Sequence, residues 1–173
     1  DENELYPWVT FFKPNLERVF SKRFASNFPS VAVGSGTDAL HLAYILADIK
    51  KNDEVICPIF TCTATNIPLL YIGAKIKFAD IDPKTMNIDI QSVKKLITSK
   101  TKAIVLVHSA GYSIDMKKII KLAKSKKIKI IEDCSQAHGA EFNKKKVGTF
   151  GDVSAFSTMY RKASISGGCG GIV

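Results

Sequence analysis

From residue 54 onward short apolar runs alternate with amphipathic stretches, and this alternation restricts the chain to very few folds. "EVICP" (54–58), "KAIVLVH" (102–108), "KIKIIEDC" (127–134) and "VSAFS" (153–157) read as buried strands. "KIKFADID" (75–82) reads as a strand closed by the turn signal of Asp82 and Pro83. Three stretches between them read as helices. "TATNIPLLYIGA" (63–74) has Pro68 near its first turn and Gly73 as its stop, and "DIQSVKKLI" (89–97) follows. "DMKKIIKLAKSKK" (115–127) repeats apolar residues at Met116, Ile119, Ile120 and Ala123, the period of an amphipathic helix. Strands separated by helices of about ten residues predict a mainly parallel sheet with helices on both faces, an α/β fold. In such sheets ligands collect where strands end and helices begin, so the residues just after each strand are the ones to inspect.

The length of 173 residues suits one domain with a proper core. Residues 1–30 lack a clear period and read as a helical lead-in, with residues 31–173 as the ligand-binding domain. No apolar stretch approaches the roughly 20 residues a membrane-spanning helix needs, and the acidic start "DENELYPW" does not read as a secretory signal. A cytoplasmic protein that makes no use of a membrane is expected. Its four cysteines are scattered, with no histidine at zinc-ligand spacing, so reduced thiols and no metal are expected. The net charge of +9 comes from lysines in helix faces and turns, with few aromatics among them. This predicts a solvated surface that binds no nucleic acid, and suits an anionic small substrate.

One candidate site opens at "VAVGSGTDALHLAY" (31–44). Gly34, Gly36 and Ala39 have the spacing of a dinucleotide-binding turn, which also needs an acidic residue at the far end of the next strand. There the sequence has Cys57 and Pro58, while Asp53 and Glu54 precede that strand. A single phosphate is the alternative, held by the backbone N–H groups of Gly36, Thr37 and Asp38 and by the Thr37 hydroxyl. A plain helix cap by Thr37 or Asp38 is a third reading, and this stretch alone leaves the matter open.

Later segments narrow it. Glu132 and Asp133 end a buried strand, and neighbours on a strand point to opposite faces, so one of them should face the ligand crevice. A carboxylate there invites a cation such as a protonated pyridine nitrogen. Ser157 ends the next strand, and Lys162 lies five residues on, beside a glycine-rich turn. A lysine amine near a carboxylate and a phosphate cradle is what pyridoxal phosphate chemistry requires.

"GSGTDALHLA", "DEVICPIFTCTATN", "FADIDPKTMNID" and "IEDCSQAHGAEFNKKKVGTFGDVSAFS", together with Lys162, resemble the sugar aminotransferases of the DegT/DnrJ/EryC1/StrS family. The resemblance runs from about residue 31 to the end. It implies a fold-type I pyridoxal-phosphate enzyme acting on nucleotide-linked keto-sugars, with a mainly parallel sheet of about seven strands as its large domain. By the same resemblance Lys162 is the Schiff-base lysine and proton carrier, Asp133 pairs with the pyridine nitrogen, and Gln136 sits near the phenolic oxygen. Gly36, Thr37, Asp38 and Ser157 hold the phosphate. Cys62 stands where many relatives stack an aromatic ring on pyridoxal 5'-phosphate, Ala163 where asparagine is common, and Cys169 where an acid is usual. His108 and His138 read as structural.

The implied reaction transfers an amino group, from glutamate as amino-acid donor, to a nucleoside-diphosphate-linked keto-sugar in polysaccharide or glycoconjugate precursor synthesis, lipopolysaccharide among them. Relatives that dehydrate the sugar at C3 instead carry histidine where Lys162 stands, so the lysine favours transamination. A truncated, non-catalytic binder of a phosphate ligand is the alternative from another class. Family chains are longer, so the small C-terminal domain is expected to be absent here. Relatives are homodimers with shared active sites. The same is expected here, and the strand starting near Val173 is expected to leave an unpaired sheet edge.

Overall fold

The computed structural model describes residues 13–165 and 168–173. The first-twelve-residue part of the lead-in, and Ser166 and Gly167 of the glycine-rich turn, lie outside the described residues. Helix α1 (Lys13–Phe24) precedes strand β1 (Ala32–Val33) and helix α2 (Gly36–Leu46). Then come β2 (Glu54–Pro58), α3 (Thr63–Ile72), β3 (Lys75–Ala79), α4 (Ile90–Leu96), β4 (Thr101–Val107) and α5 (Met116–Lys126). β5 (Lys129–Asp133), a small hairpin of β6 (Glu141–Phe142) and β7 (Lys145–Lys146), β8 (Val153–Ser157) and β9 (Gly171–Ile172) complete the chain.

Seven strands form one sheet in the order β1-β9-β8-β5-β4-β2-β3. β2, β3, β4, β5 and β8 run parallel, and β9 runs antiparallel between β8 and β1. The expected mainly parallel, seven-stranded α/β architecture is therefore present. The unpaired edge expected at the chain's end is not: β9 has a partner on each side, Ile172 facing both Phe156 and Ala32. Gly171 permits this insertion, because a Cβ there would come within 2.2 Å of the Ser35 carbonyl oxygen.

Strand alternation splits the core into two layers. Val55, Cys57, Ala103, Val105 and Ile131 face α2 and α3, meeting Leu40, Tyr44 and Leu69. Ile56, Ile104, Leu106 and Ile130 face α4 and α5, meeting Val93, Met116 and Ile119. A third cluster lies under α1, where Phe20 packs with Phe156 and Ile172. Since the strands are apolar on both faces, they read as continuous runs, as a sheet covered twice requires.

Local chemistry sets the helix ends. Asp89 caps α4 through the N–H groups of Gln91 and Ser92, and Asp115 caps α5 through Lys118. Gly73 ends α3 in the left-handed conformation with φ of 78°. Pro68 lies in the second turn of α3, deeper than the sequence reading placed it. The helix tolerates it because Pro68 is buried against the sheet-facing layer and α3 continues for only one further turn.

Candidate active site

The C-terminal ends of β2, β4, β5 and β8 and the N-terminus of α2 surround a cavity of about 180 Å³. Gly36, Thr37, Cys62, Asp133, Gln136, Ser157 and Lys162 all line it. The structure thus brings together residues that span more than 120 positions of the sequence. Asp38 is not in the lining.

At the α2 end the capping residue is Ser35. Its Oγ accepts from the Asp38 N–H at 3.1 Å and donates to Asp38 Oδ2 at 2.8 Å. Asp38 is engaged with its own cap, and the N–H groups of Gly36 and Thr37 keep no intrahelical partner. These two donors and the helix dipole give that end of the cavity its affinity for an anion. Ser157 adds a hydroxyl and sits very close: a Cβ on Gly36 would lie 2.6 Å from Ser157 Cβ. Glycine is required there by contact rather than by φ.

β5 supplies the opposite charge. Asp133 Oδ2 accepts from the Thr65 hydroxyl at 2.9 Å, and Oδ1 accepts from the Ser135 N–H at 3.1 Å. Because Thr65 has a single hydroxyl proton and gives it to Asp133, Thr61, 2.9 Å away, must donate to Thr65. The buried Tyr44 hydroxyl donates to the Thr65 carbonyl at 2.6 Å. This chain of hydrogen bonds orients the carboxylate, yet no lysine, arginine or histidine pairs with it among the described residues, although only 4% of Asp133 is exposed. A buried carboxylate left in that state is built for a cationic ligand. Burial, and then the charge of Asp133, push the Cys57 thiol up, so it stays protonated behind the site.

Gln136 follows at the cavity's side. Its Oε1 accepts from the Ala110 N–H at 2.9 Å, so the group it can still offer is the NH₂, a donor. Ala110 is held at φ of 50°, a left-handed conformation uncommon outside glycine, in the short 3₁₀ turn Ser109–Gly111 after β4. Cys62 is exposed at the N-terminus of α3.

Glu132 points to the other face, as strand alternation requires. Its two oxygens accept from His108 Nε2 at 3.0 Å and from the N–H groups of Gly148, Phe150 and Gly151 at 2.7–2.8 Å. Burial pushes this carboxyl up, but the His108 hydrogen bond and charge and the backbone donors outweigh it and hold it below the ordinary carboxylate value. His108 Nδ1 accepts from the Ile114 N–H, so the ring is engaged on both sides. His108, Glu132 and Cys134 bring ligand-type atoms within 4.8 Å of one another, but the four N–H donors already fill the Glu132 oxygens. His108 is a structural residue.

Thr65, Thr61, Ser35 and Tyr44 complete the site and escaped the sequence reading. Thr61 and Thr65 lie just beyond β2, where ligand residues gather, which is the signal that could have found them. Tyr44 carried none, being one apolar-face residue of α2 among several.

A second cavity of about 560 Å³ adjoins the first and shares Thr61, Cys62, Val107 and Gln136 with it. Phe60, Met86 and Tyr112 line it, and Lys84 is its one charged residue among those described. No helix among the described residues is long and apolar enough to cross a membrane.

The model of the DegT/DnrJ/EryC1/StrS aminotransferase family matches residues 12–173. The chain is 40% identical over 169 residues to the GDP-perosamine synthase of Escherichia coli O157:H7, covering 96% of this chain and 46% of that one. Among solved structures, the aminotransferase from Psychrobacter cryohalolentis superposes with a TM-score of 0.91 at 38% identity, over 95% of this chain and 42% of that one. A GDP-4-keto-6-deoxymannose-3-dehydratase with a trapped PLP-glutamate geminal diamine matches with a TM-score of 0.88 at 36% identity, over 94% and 43%. The chain spans less than half the length of these relatives.

Proposed function

The chain belongs to the DegT/DnrJ/EryC1/StrS aminotransferase family, and from that premise we propose that it is the cofactor-binding large domain, residues 31–173, of an enzyme that transfers an amino group from glutamate to a nucleoside-diphosphate-linked keto-sugar. The observation that carries the reading is Asp133, a buried carboxylate without a cationic partner among the described residues, lining one cavity with Lys162 and a helix N-terminus.

Pyridoxal 5'-phosphate fits this donor set, and supplies an aldehyde that bonds amines and a ring that takes up electrons from the substrate carbon. The N–H groups of Gly36 and Thr37 and the hydroxyls of Thr37 and Ser157 bind the phosphate. Asp38 braces that turn through Ser35. Asp133 holds a proton on the pyridine nitrogen, and Thr65 and Ser135 keep its carboxylate aimed. The Gln136 NH₂ donates to the phenolic oxygen, and Cys62 flanks the ring. Lys162 would supply the amine that holds the cofactor's aldehyde carbon and the base that moves a proton at the substrate carbon. Val107 and Leu40 keep water off these groups.

The adjoining cavity is where the sugar nucleotide would sit, with Lys84 beside its diphosphate. Such a substrate belongs to the assembly of polysaccharides such as lipopolysaccharide. None of the four cysteines forms a disulfide among the described residues, which suits a cytoplasmic setting. A homodimer with shared sites completes the proposal. The similar dehydratase supports sugar 3-dehydration as a second reading.

The test uses full-length protein with pyridoxal 5'-phosphate, glutamate and a panel of nucleotide-linked keto-sugars, with products read by mass spectrometry. An amino sugar is expected. A product that has lost water, or no product from any member of the panel, would overturn transamination.

A further inference from the structure

"FADIDPKTMNID" (78–89) carries part of the family resemblance, yet none of its residues lines the cofactor cavity. Its loop, between β3 and α4, folds back on itself: the Asp82 N–H reaches the Asn87 carbonyl at 2.8 Å, and Ile81 and Ile88 bridge. Asn87 is buried there, with 4% exposed, and its side-chain amide reaches the turn after β4. Oδ1 accepts from the Ser109 N–H and Nδ2 donates to the Tyr112 carbonyl oxygen, each at 3.0 Å. One planar amide meets a donor and an acceptor at once, which aspartate or leucine of like size cannot do.

The next N–H along the turn, that of Ala110, goes to Gln136 Oε1 at 2.9 Å. Two amide side chains therefore grip consecutive N–H groups, Asn87 from the β3–α4 loop and Gln136 from the loop after β5. Both segments that Asn87 joins are strained. Met86 has φ of 59° and Ala110 of 50°, left-handed values that residues other than glycine hold only where their surroundings fix them. Thr85 and Met86 on one segment, and Ser109, Ala110 and Tyr112 on the other, line the second cavity, and Gln136 lines both cavities. Asn87 lines neither, so it acts through what it holds.

We propose that Asn87 is a positioning residue for Gln136: by fixing the Ser109–Tyr112 turn it keeps the Ala110 N–H aimed at Gln136 Oε1, and so keeps the Gln136 NH₂ turned toward the cofactor. An amide whose oxygen is engaged rotates only by giving up that bond, so the direction of its NH₂ follows the turn. Without Asn87 the strained turn relaxes and Gln136 loses the donor that orients it. The inference rests on the proposed place of Gln136 beside the phenolic oxygen, but its first test needs no cofactor.

That test follows amide hydrogen exchange by peptide mass spectrometry in the full-length protein without cofactor. In Asn87→Ala the peptide over residues 109–112 should exchange about tenfold faster or more, while peptides from the middle of β4 keep their wild-type rate. An unchanged turn, or a β4 loosened to the same degree, would overturn the inference. The second measurement titrates the visible absorbance of protein loaded with pyridoxal 5'-phosphate. A donor on the phenolic oxygen favours the deprotonated chromophore, so losing that donor moves the titration up. Gln136→Ala should move it up by about one pH unit, and Asn87→Ala by about half of that or more. In the double variant Asn87→Ala should add nothing to Gln136→Ala, because Gln136 is its route to the cofactor. Asn87→Asp, which keeps the acceptor for Ser109, should fall between wild type and Asn87→Ala, and it carries the comparison if Asn87→Ala does not fold. A wild-type titration in both Asn87 variants, or full additivity in the double variant, would overturn the inference. If Gln136→Ala itself left the titration in place, the proposed cofactor contact of Gln136 would fail, while the exchange rates would still decide whether Asn87 holds the turn.

Discussion

Glu132 and Asp133 are neighbours in sequence and do opposite work. Strand alternation alone says that one faces the crevice, and the depth of the site on the α2 side decides for Asp133. What alternation cannot say is that Glu132 is held by donors from residues 148–151, sixteen or more positions away. Glu132→Gln turns one acceptor into a donor against those N–H groups. It should destabilise the fold by about 3 kcal/mol or more in urea unfolding. Acid should act in two stages. His138 titrates below its ordinary value of 6.5 when folded, so the unfolded chain takes its proton first and stability falls as the pH drops below that value. Glu132 titrates below its ordinary 4.5, so its contribution is complete above that value and is lost as pH falls through the lower folded value. Thermal unfolding followed from pH 8 to 4 should show the first stage in the wild type and lose it in His138→Phe.

At the scale of elements, the long apolar runs were legible because both faces of each strand are buried, and "EVICP" and "VSAFS" coincide with β2 and β8. β1 and β9 were not. Each has two residues, too few for any period, and their pairing is decided by glycine contacts and long-range register. The α2 N-terminus shows the same limit: glycine spacing pointed to the turn, while the cap proved to be Ser35, with Asp38 as its partner. Ser35→Ala should cost about 1 kcal/mol of stability. Gly36→Ala drives a methyl into Ser157 and should weaken pyridoxal 5'-phosphate binding by about tenfold or more, as read by fluorescence titration. Unchanged binding would remove this turn from the phosphate site.

For the whole molecule, the proposed homodimer would draw on the outer face of α2 and α3. Ile45, Leu46, Leu70 and Tyr71 are exposed there, and the His41 and Tyr71 rings meet across the two helices. The full-length protein should scatter light as a dimer, and Leu70→Lys with Tyr71→Lys should shift it toward monomer. The surface itself carried no sequence signal, because an apolar residue at helical spacing reads alike whether it meets a core or a partner. On the proposed reading, cavity walls drawn from α2, β5 and β8 place Lys162 as the amine that bonds pyridoxal 5'-phosphate. The most direct measurement loads full-length protein with pyridoxal 5'-phosphate, reduces it with borohydride and maps the covalent label by peptide mass spectrometry. The label should fall on Lys162 and disappear, with the visible absorbance of the loaded protein, in Lys162→Ala. A label on another lysine, or an absorbance that survives Lys162→Ala, would contradict the account.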